Sequence, residues 1–143
     1  MSSVRSVVAR VGADDERLAD VAWCPTQLQQ HVPGDDHRVH VVGDEVFCSR
    51  IRSGADDYRY AARDGHAVAM DPVRAPDELA GRCRALADHL GLRLAGIDLR
   101  VTPEGEWFCF EVNSSPAFTF YDRHGQGIDR AVARLLMGRE GVS

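Results

Sequence analysis

The chain has 143 residues, enough for one hydrophobic core and short for a multidomain enzyme. Its 44% hydrophobic and 27% charged content is that of a folded globular domain, not a disordered segment. A net charge of −5 gives no general attraction to nucleic acid, and no apolar run reaches the roughly 18 residues of a membrane helix, so neither nucleic acid nor membrane is an expected partner.

Met1 to Arg17 lacks the long apolar core and cleavage site of a secretory signal, and a cytoplasmic location is the expectation. The four cysteines, Cys24, Cys48, Cys83 and Cys109, form no CxxC pair and have no histidine at finger spacing. They are expected as small buried hydrophobes. All 17 basic residues are arginine, and the chain has no lysine.

In chain order, Val4 to Val11 predicts a strand, and Ala13 to Leu18 a short helical turn or an exposed connection. Gln27 to Pro33 is a β-compatible run closed by the Pro33-Gly34 breaker. Val39, Val41 and the run Val46 to Ile51 flank Gly43-Asp44, which predicts a hairpin. Arg38, Arg50 and Arg52 on it could simply be solvent-facing residues that discourage edge pairing. Ser53 to Asp71 is polar and reads as a loop.

Pro76 to Leu90 predicts the clearest helix, with Leu79, Cys83, Leu86, Ala87 and Leu90 on one face, Pro76 and Asp77 in the first turn and Gly91 as the stop. Asp98 to Asn113 predicts a second hairpin around a type I turn at Thr102-Pro103-Glu104-Gly105. Alternation puts Glu111 and Asn113 on one face, with Phe110 and Val112 on the other, and Asp98 opposite or diagonal to Glu111. Pro116 to Tyr121 is aromatic, and Ile128, Ala131, Val132, Leu135 and Leu136 predict a closing amphipathic helix ending near Gly138.

Two carboxylates and an amide gathered on a hairpin form a hard-oxygen set suited to a divalent cation that keeps water and phosphate ligands. A solvated polar face is the competing reading. There is no GxGxxG, Walker loop, HExxH or Gly-x-Ser-x-Gly elbow.

The pattern Gly96-Ile97-Asp98 followed by Glu111-Val112-Asn113-Ser114-Ser115-Pro116 resembles the metal-binding end of the ATP-grasp superfamily. It is most similar to RimK-type glutamate ligases and to ATP-grasp ligases that modify ribosomally made peptides. The resemblance covers about residues 25 to 140 and implies an α+β fold: an antiparallel sheet built from hairpins with packed helices, like the C-terminal lobe of that fold. The expected organisation is a single partial ATP-grasp domain spanning 1–143, its upstream lobe absent.

By this resemblance Asp98, Glu111 and Asn113 hold Mg²⁺ or Mn²⁺ on ATP, and Arg38 and Arg52 face the transferred phosphate, where a guanidinium fork binds oxygens bidentately. Gln30, His31 and Val32 match the hinge that meets adenine, with Gln30 where an acidic residue often stands. Asp36 opens the similar hairpin, and Arg59 matches a nucleotide-site loop that here lacks its amide. The implied activity is an ATP-dependent carboxylate–amine ligase acting through an acyl phosphate on an amino acid or peptide. The missing lobe would come from a separate chain or a homo-oligomer, and the family's phosphate-binding lysines cannot come from this lysine-free chain. The alternative is a truncated, inactive relic that binds a peptide or a protein.

Overall fold

The computed structural model describes residues 10–23, 25–53 and 68–139. The expected strand at Val4 to Val11 lies almost wholly outside them, as do Cys24 and Arg59, while Arg10 and Val11 are not in a strand. The chain divides into two compact units, Met1–Val32 with Ser53–Val68, and Pro33–Arg52 with Ala69–Ser143.

In the first unit Glu16–Trp23 is a 3-10 helix, which realises the short helical turn expected nearby. The run from Gln27 to Pro33 is not a strand. Its β-prone residues have no ladder to join among the described strands, and β propensity alone does not make a strand without one.

The second unit is built on a five-stranded sheet ordered β3-β2-β1-β4-β5. The strands are β1 (Asp35–Val42), β2 (Glu45–Ser53), β3 (Val68–Val73), β4 (Leu94–Val101) and β5 (Trp107–Asn113). Pairing is antiparallel at β1–β2, β1–β4 and β4–β5. With its helices this is the α+β architecture expected. β1 and β2 form the expected tight hairpin, with Val42 opposite Glu45 and Gly43 at φ 55°, a positive value that a side chain would resist. β4 and β5 form the other, closed by the Gly105 N–H to the Thr102 carbonyl at 2.9 Å.

β3 takes over the end of the stretch read as a loop. Its apolar Val68, Ala69 and Met70 suit a strand, and Pro72, which cannot donate to a ladder, is tolerated because β3 lies at the sheet edge.

Helix α1 (Asp77–His89) buries Leu79, Cys83 and Ala87 against one face of the sheet. There they pack with Val39, Val41, Cys48, Ala95, Ile97 and Leu99. It stops where the Gly91 N–H reaches the Asp88 carbonyl at 3.0 Å and the Leu92 N–H reaches Ala87 at 2.9 Å, a Schellman ending. Helix α2 (Ile128–Leu136) covers one end of the opposite face, where Ile128 and Ala131 meet Val42, Phe47 and Leu94. Asp122 caps it, accepting the N–H groups of Gly127 at 2.8 Å and Ile128 at 3.0 Å. Cys48 and Cys83 are buried as expected, but Cys109 is exposed, because it lies on edge strand β5. Among the described residues no helix is long and apolar enough to cross a membrane.

Ile97, fully buried on β4, tests this core. Ile97→Ala should destabilise the protein by about 2–5 kcal/mol in urea denaturation. Leu136→Ala, at a position 82% exposed, should stay within about 0.5 kcal/mol of the parent.

Candidate functional site

The face shared by α2 carries Asp36, Arg38, His40 and Val42 on β1, because side chains alternate along the strand. Register places Arg38 opposite Asp98 and Asp36 opposite Arg100. Each arginine therefore meets a carboxylate across the β1–β4 ladder. Arg38 Nη1 donates to Asp98 Oδ1 at 2.6 Å, and Arg100 Nε donates to Asp36 Oδ1 at 2.7 Å. Burial raises the Asp36 pKa, while the Arg100 hydrogen bond and charge oppose that rise.

On the other side of β4, Glu111 lies directly opposite Asp98 and Asn113 opposite Gly96. The three oxygen-bearing residues expected as a set are thus neighbours on one face. A register shift at Asp98/Leu99 makes Cys109 the partner of Leu99 and leaves Phe110 as the extra residue of a β-bulge. Strict alternation predicted Phe110 on the far face. Instead the Arg100 guanidinium lies 5.3 Å from the Phe110 ring centroid, because the bulge breaks alternation there.

Two members of the set already have partners. Asp98 holds Arg38, and Asn113 Oδ1 accepts the Ser115 N–H at 2.8 Å, which fixes the turn after β5. Glu111 is exposed. Among the described residues no three His, Cys, Asp or Glu side chains gather as a metal cluster, so the oxygen set is two carboxylates and an amide.

Arg38 is 5% exposed. Its charged carbon lies 5.7 Å from the Tyr121 ring centroid, and its Nε is buried with no hydrogen-bond partner. Gly96 makes this possible: a Cβ there would occupy the positions of the Arg38 guanidinium and Pro116 Cβ. The glycine of Gly96-Ile97-Asp98 is therefore needed for a close side-chain approach, with no special φ involved.

His40 lies beside Arg38, fully buried. Its Nε2 donates to the Ala117 carbonyl at 3.2 Å, and its ring is 5.0 Å from that of Tyr121. Burial, with the Arg38 charge adding to it, pushes its pKa down to about 4 against the opposing Ala117 hydrogen bond. Gln126, just before α2, donates to Ser49 Oγ at 2.7 Å and to the Tyr121 carbonyl at 3.2 Å, tying β2 to the aromatic segment.

Arg52 is not brought to this face. Its neighbour Ile51 pairs with Asp36, so alternation turns Arg52 to the α1 side, where it is exposed and ion-paired with Asp71. Gln30, His31 and Val32 belong to the other compact unit. There His31 Nε2 meets Arg10 Nη2 at 2.6 Å and Val32 is buried. Arg59 lies outside the described residues. Sequence reasoning missed Arg100, Tyr121 and His40. Arg100, two residues from Asp98, had a usable signal in strand alternation.

A family model for the RimK-like ATP-grasp domain matches residues 26–136, and the chain belongs to that family. It is 33% identical over 108 residues to a probable alpha-L-glutamate ligase of Picosynechococcus sp., covering 74% of this chain and 32% of that protein. The chain thus spans about a third of that relative's length. A Chryseobacterium gregarium RiPP-associated ATP-grasp ligase, in complex with ADP and a leader and core peptide, shares the fold at TM-score 0.77 and 24% identity, over 88% of this chain and 40% of that one. The ATP-grasp ligase PsnB, complexed with a phosphomimetic variant of a minimal precursor, Mg and ADP, matches at TM-score 0.58 and 26% identity, over 75% of this chain and 35% of that one.

Two measurements check the geometry. A histidine held neutral by the fold costs stability once the unfolded chain can protonate it, so His40 should lower stability as pH falls from about 6.5 to about 4. The loss should total about 3 kcal/mol. Burial also lowers the His37 pKa, so the readout is the difference between parent and His40→Asn in urea melts across that window. Gly96→Ala should destabilise by about 1–3 kcal/mol through overpacking and displace Arg38 from Asp98, a change visible in a crystal structure.

Proposed function

We propose that this chain supplies the metal- and phosphate-holding part of an ATP-dependent carboxylate–amine ligase. The observation that carries the reading is the direct opposition of Asp98 and Glu111, with Asn113 two residues along the same face. This donor set fits a small hard cation. Carboxylate and amide oxygens suit Mg²⁺ or Mn²⁺, and three protein ligands leave positions for phosphate oxygens and water. When bound, the ion would neutralise charge on the β- and γ-phosphates.

The chain's own residues do the rest of the positioning. Glu111, exposed on the edge strand, is open to an incoming nucleotide, while Asp98 is oriented by Arg38 and Asn113 by Ser115. The Arg38 guanidinium, whose buried Nε has no hydrogen-bond partner, would donate to a phosphate oxygen. In the reaction a substrate carboxylate oxygen attacks the γ-phosphorus and ADP leaves. An amine then attacks the acyl phosphate carbon, expelling phosphate and leaving an amide. Neither step needs a protein nucleophile.

Membership of a family of ATP-grasp ligases, and the peptides held by the solved relatives, support a peptide or amino-acid substrate. The adenine hinge at Gln30 to Val32 and a contribution from Arg59 belong to the same reading. The chain has no lysine, so any lysine contact to the phosphates would come from outside these 143 residues. Arg52, on the opposite face, has no part in it.

Calorimetric titration with ADP, with and without Mg²⁺, tests the proposal. Mg²⁺-dependent binding that Glu111→Ala weakens at least about tenfold while thermal unfolding stays cooperative is the expected outcome. Equal nucleotide affinity in parent and variant would overturn the metal assignment.

A further inference from the structure

We infer that Arg38 is the stand-in cation of the metal site: it neutralises Asp98 while no metal is present, and metal binding releases its guanidinium toward phosphate. The inference rests on the metal reading of Asp98, Glu111 and Asn113.

Three features of the site point to it. Asp98 sits between Arg38 on β1 and Glu111 on β5, so it has a fixed cation on one side and, on the other, a carboxylate with no ion pair among the described residues. Two adjacent carboxylates repel unless a cation lies between or beside them, and in this arrangement the only charge partner of Asp98 among the described ion pairs is Arg38. The Arg38 side chain is 7% exposed and that of Asp98 30%, so the pair is partly desolvated and its loss must be compensated.

Arg38 is also incompletely satisfied. Its Nε is buried without a partner, although Nη1 makes a short bond to Asp98. A guanidinium carries five donors, and one orphaned in the interior disfavours this arrangement relative to one that gives it an acceptor. The space it occupies is shaped by the bare Gly96 backbone and bounded by the Tyr121 ring. Tyr121 stays in reach of a cation while the Asp98 bond is exchanged, so the guanidinium is not left unaccompanied.

The consequence is an ordered exchange. Metal bound by Asp98 and Glu111 competes with the Arg38–Asp98 hydrogen bond, and the freed Nη1 becomes a donor for an oxygen of the nucleotide that arrives with the metal. The chain's affinity for a bare divalent ion is thereby held down, and binding of metal with phosphate is favoured over metal alone, because only phosphate gives the displaced guanidinium a new acceptor.

Mn²⁺ alone, followed by water-proton relaxation, and nitrogen NMR of the arginine side chains test this. Arg38→Gln should bind Mn²⁺ roughly five-fold tighter than the parent. In the parent, the Arg38 Nη signals, identified by their loss in Arg38→Gln and split by restricted rotation in the ion pair, should coalesce as Mg²⁺ alone is raised to saturation, before any phosphate offers the guanidinium a new acceptor. Removing a nearby positive charge would by itself raise Mn²⁺ affinity, but it would not change the rotation of Arg38 in the parent. If Mn²⁺ binds the parent through Glu111, as Glu111→Ala shows, and Arg38 stays split at saturating Mg²⁺ without nucleotide, the stand-in role is wrong and the metal site stands. If neither parent nor Arg38→Gln binds Mn²⁺, both the inference and the metal reading fail.

Discussion

The register between β1 and β4 is the constraint on which the site depends. It sets Asp36 against Arg100 and Arg38 against Asp98, so that two acidic and two basic side chains on one half-covered face are each opposed by the other sign. A slip of β1 by one residue would turn Asp36 and Arg38 to the α1 side and bring Val39 and Val41, which now fill the core, out in their place. The apolar face therefore fixes the charged one. Burial of Val39, Val41, Ile97 and Leu99 under α1 stabilises the only pairing in which the carboxylates and arginines share the opposite surface.

Coverage of that opposite surface is uneven, and the unevenness divides labour along β1. At the Val42 end, α2 and the aromatic segment before it pack over Phe47 and Leu94. At the Asp36 end neither core cluster of the described residues covers this face, and the Asp36–Arg100 pair lies there, with Asp98, Glu111 and Asn113 between the two ends. Tyr121 stands at the boundary, touching both His40 and Arg38. His40 is held neutral beneath it, which leaves Arg38 as the positive charge facing Asp98. A family member that handles nucleotide phosphates needs such a boundary, since charge in a half-dry setting interacts more strongly than in open water.

Much of this was legible in the chain itself. The two hairpins, α1, α2 and the Asp98–Glu111 opposition follow from local periodicity, turn residues and alternation, which depend on near neighbours. The β-bulge at Phe110 did not, because a bulge is set by how two strands fit over a core. Nor did the Arg38–Asp98 pair, whose members are 60 residues apart and meet only through the β1–β4 register. Arg52 was misplaced for a related reason: its resemblance to a phosphate-facing residue ignored that Ile51, its neighbour, is the one that turns to the Asp36 side. The β-prone run before Pro33 failed as a strand because propensity supplies no partner. Gly96 could be recognised as part of a motif, but its physical purpose appears only when the Arg38 side chain is seen lying over it.

The most direct test of the account is a crystal structure of the chain grown with ADP and Mn²⁺, with the metal located by its anomalous scattering. The account predicts a Mn²⁺ ion within about 2.0–2.3 Å of oxygens from both Asp98 and Glu111, bridging to the nucleotide phosphates. Nucleotide bound with its metal elsewhere, and the Asp98–Arg38 pair undisturbed beside an empty Glu111, would contradict it.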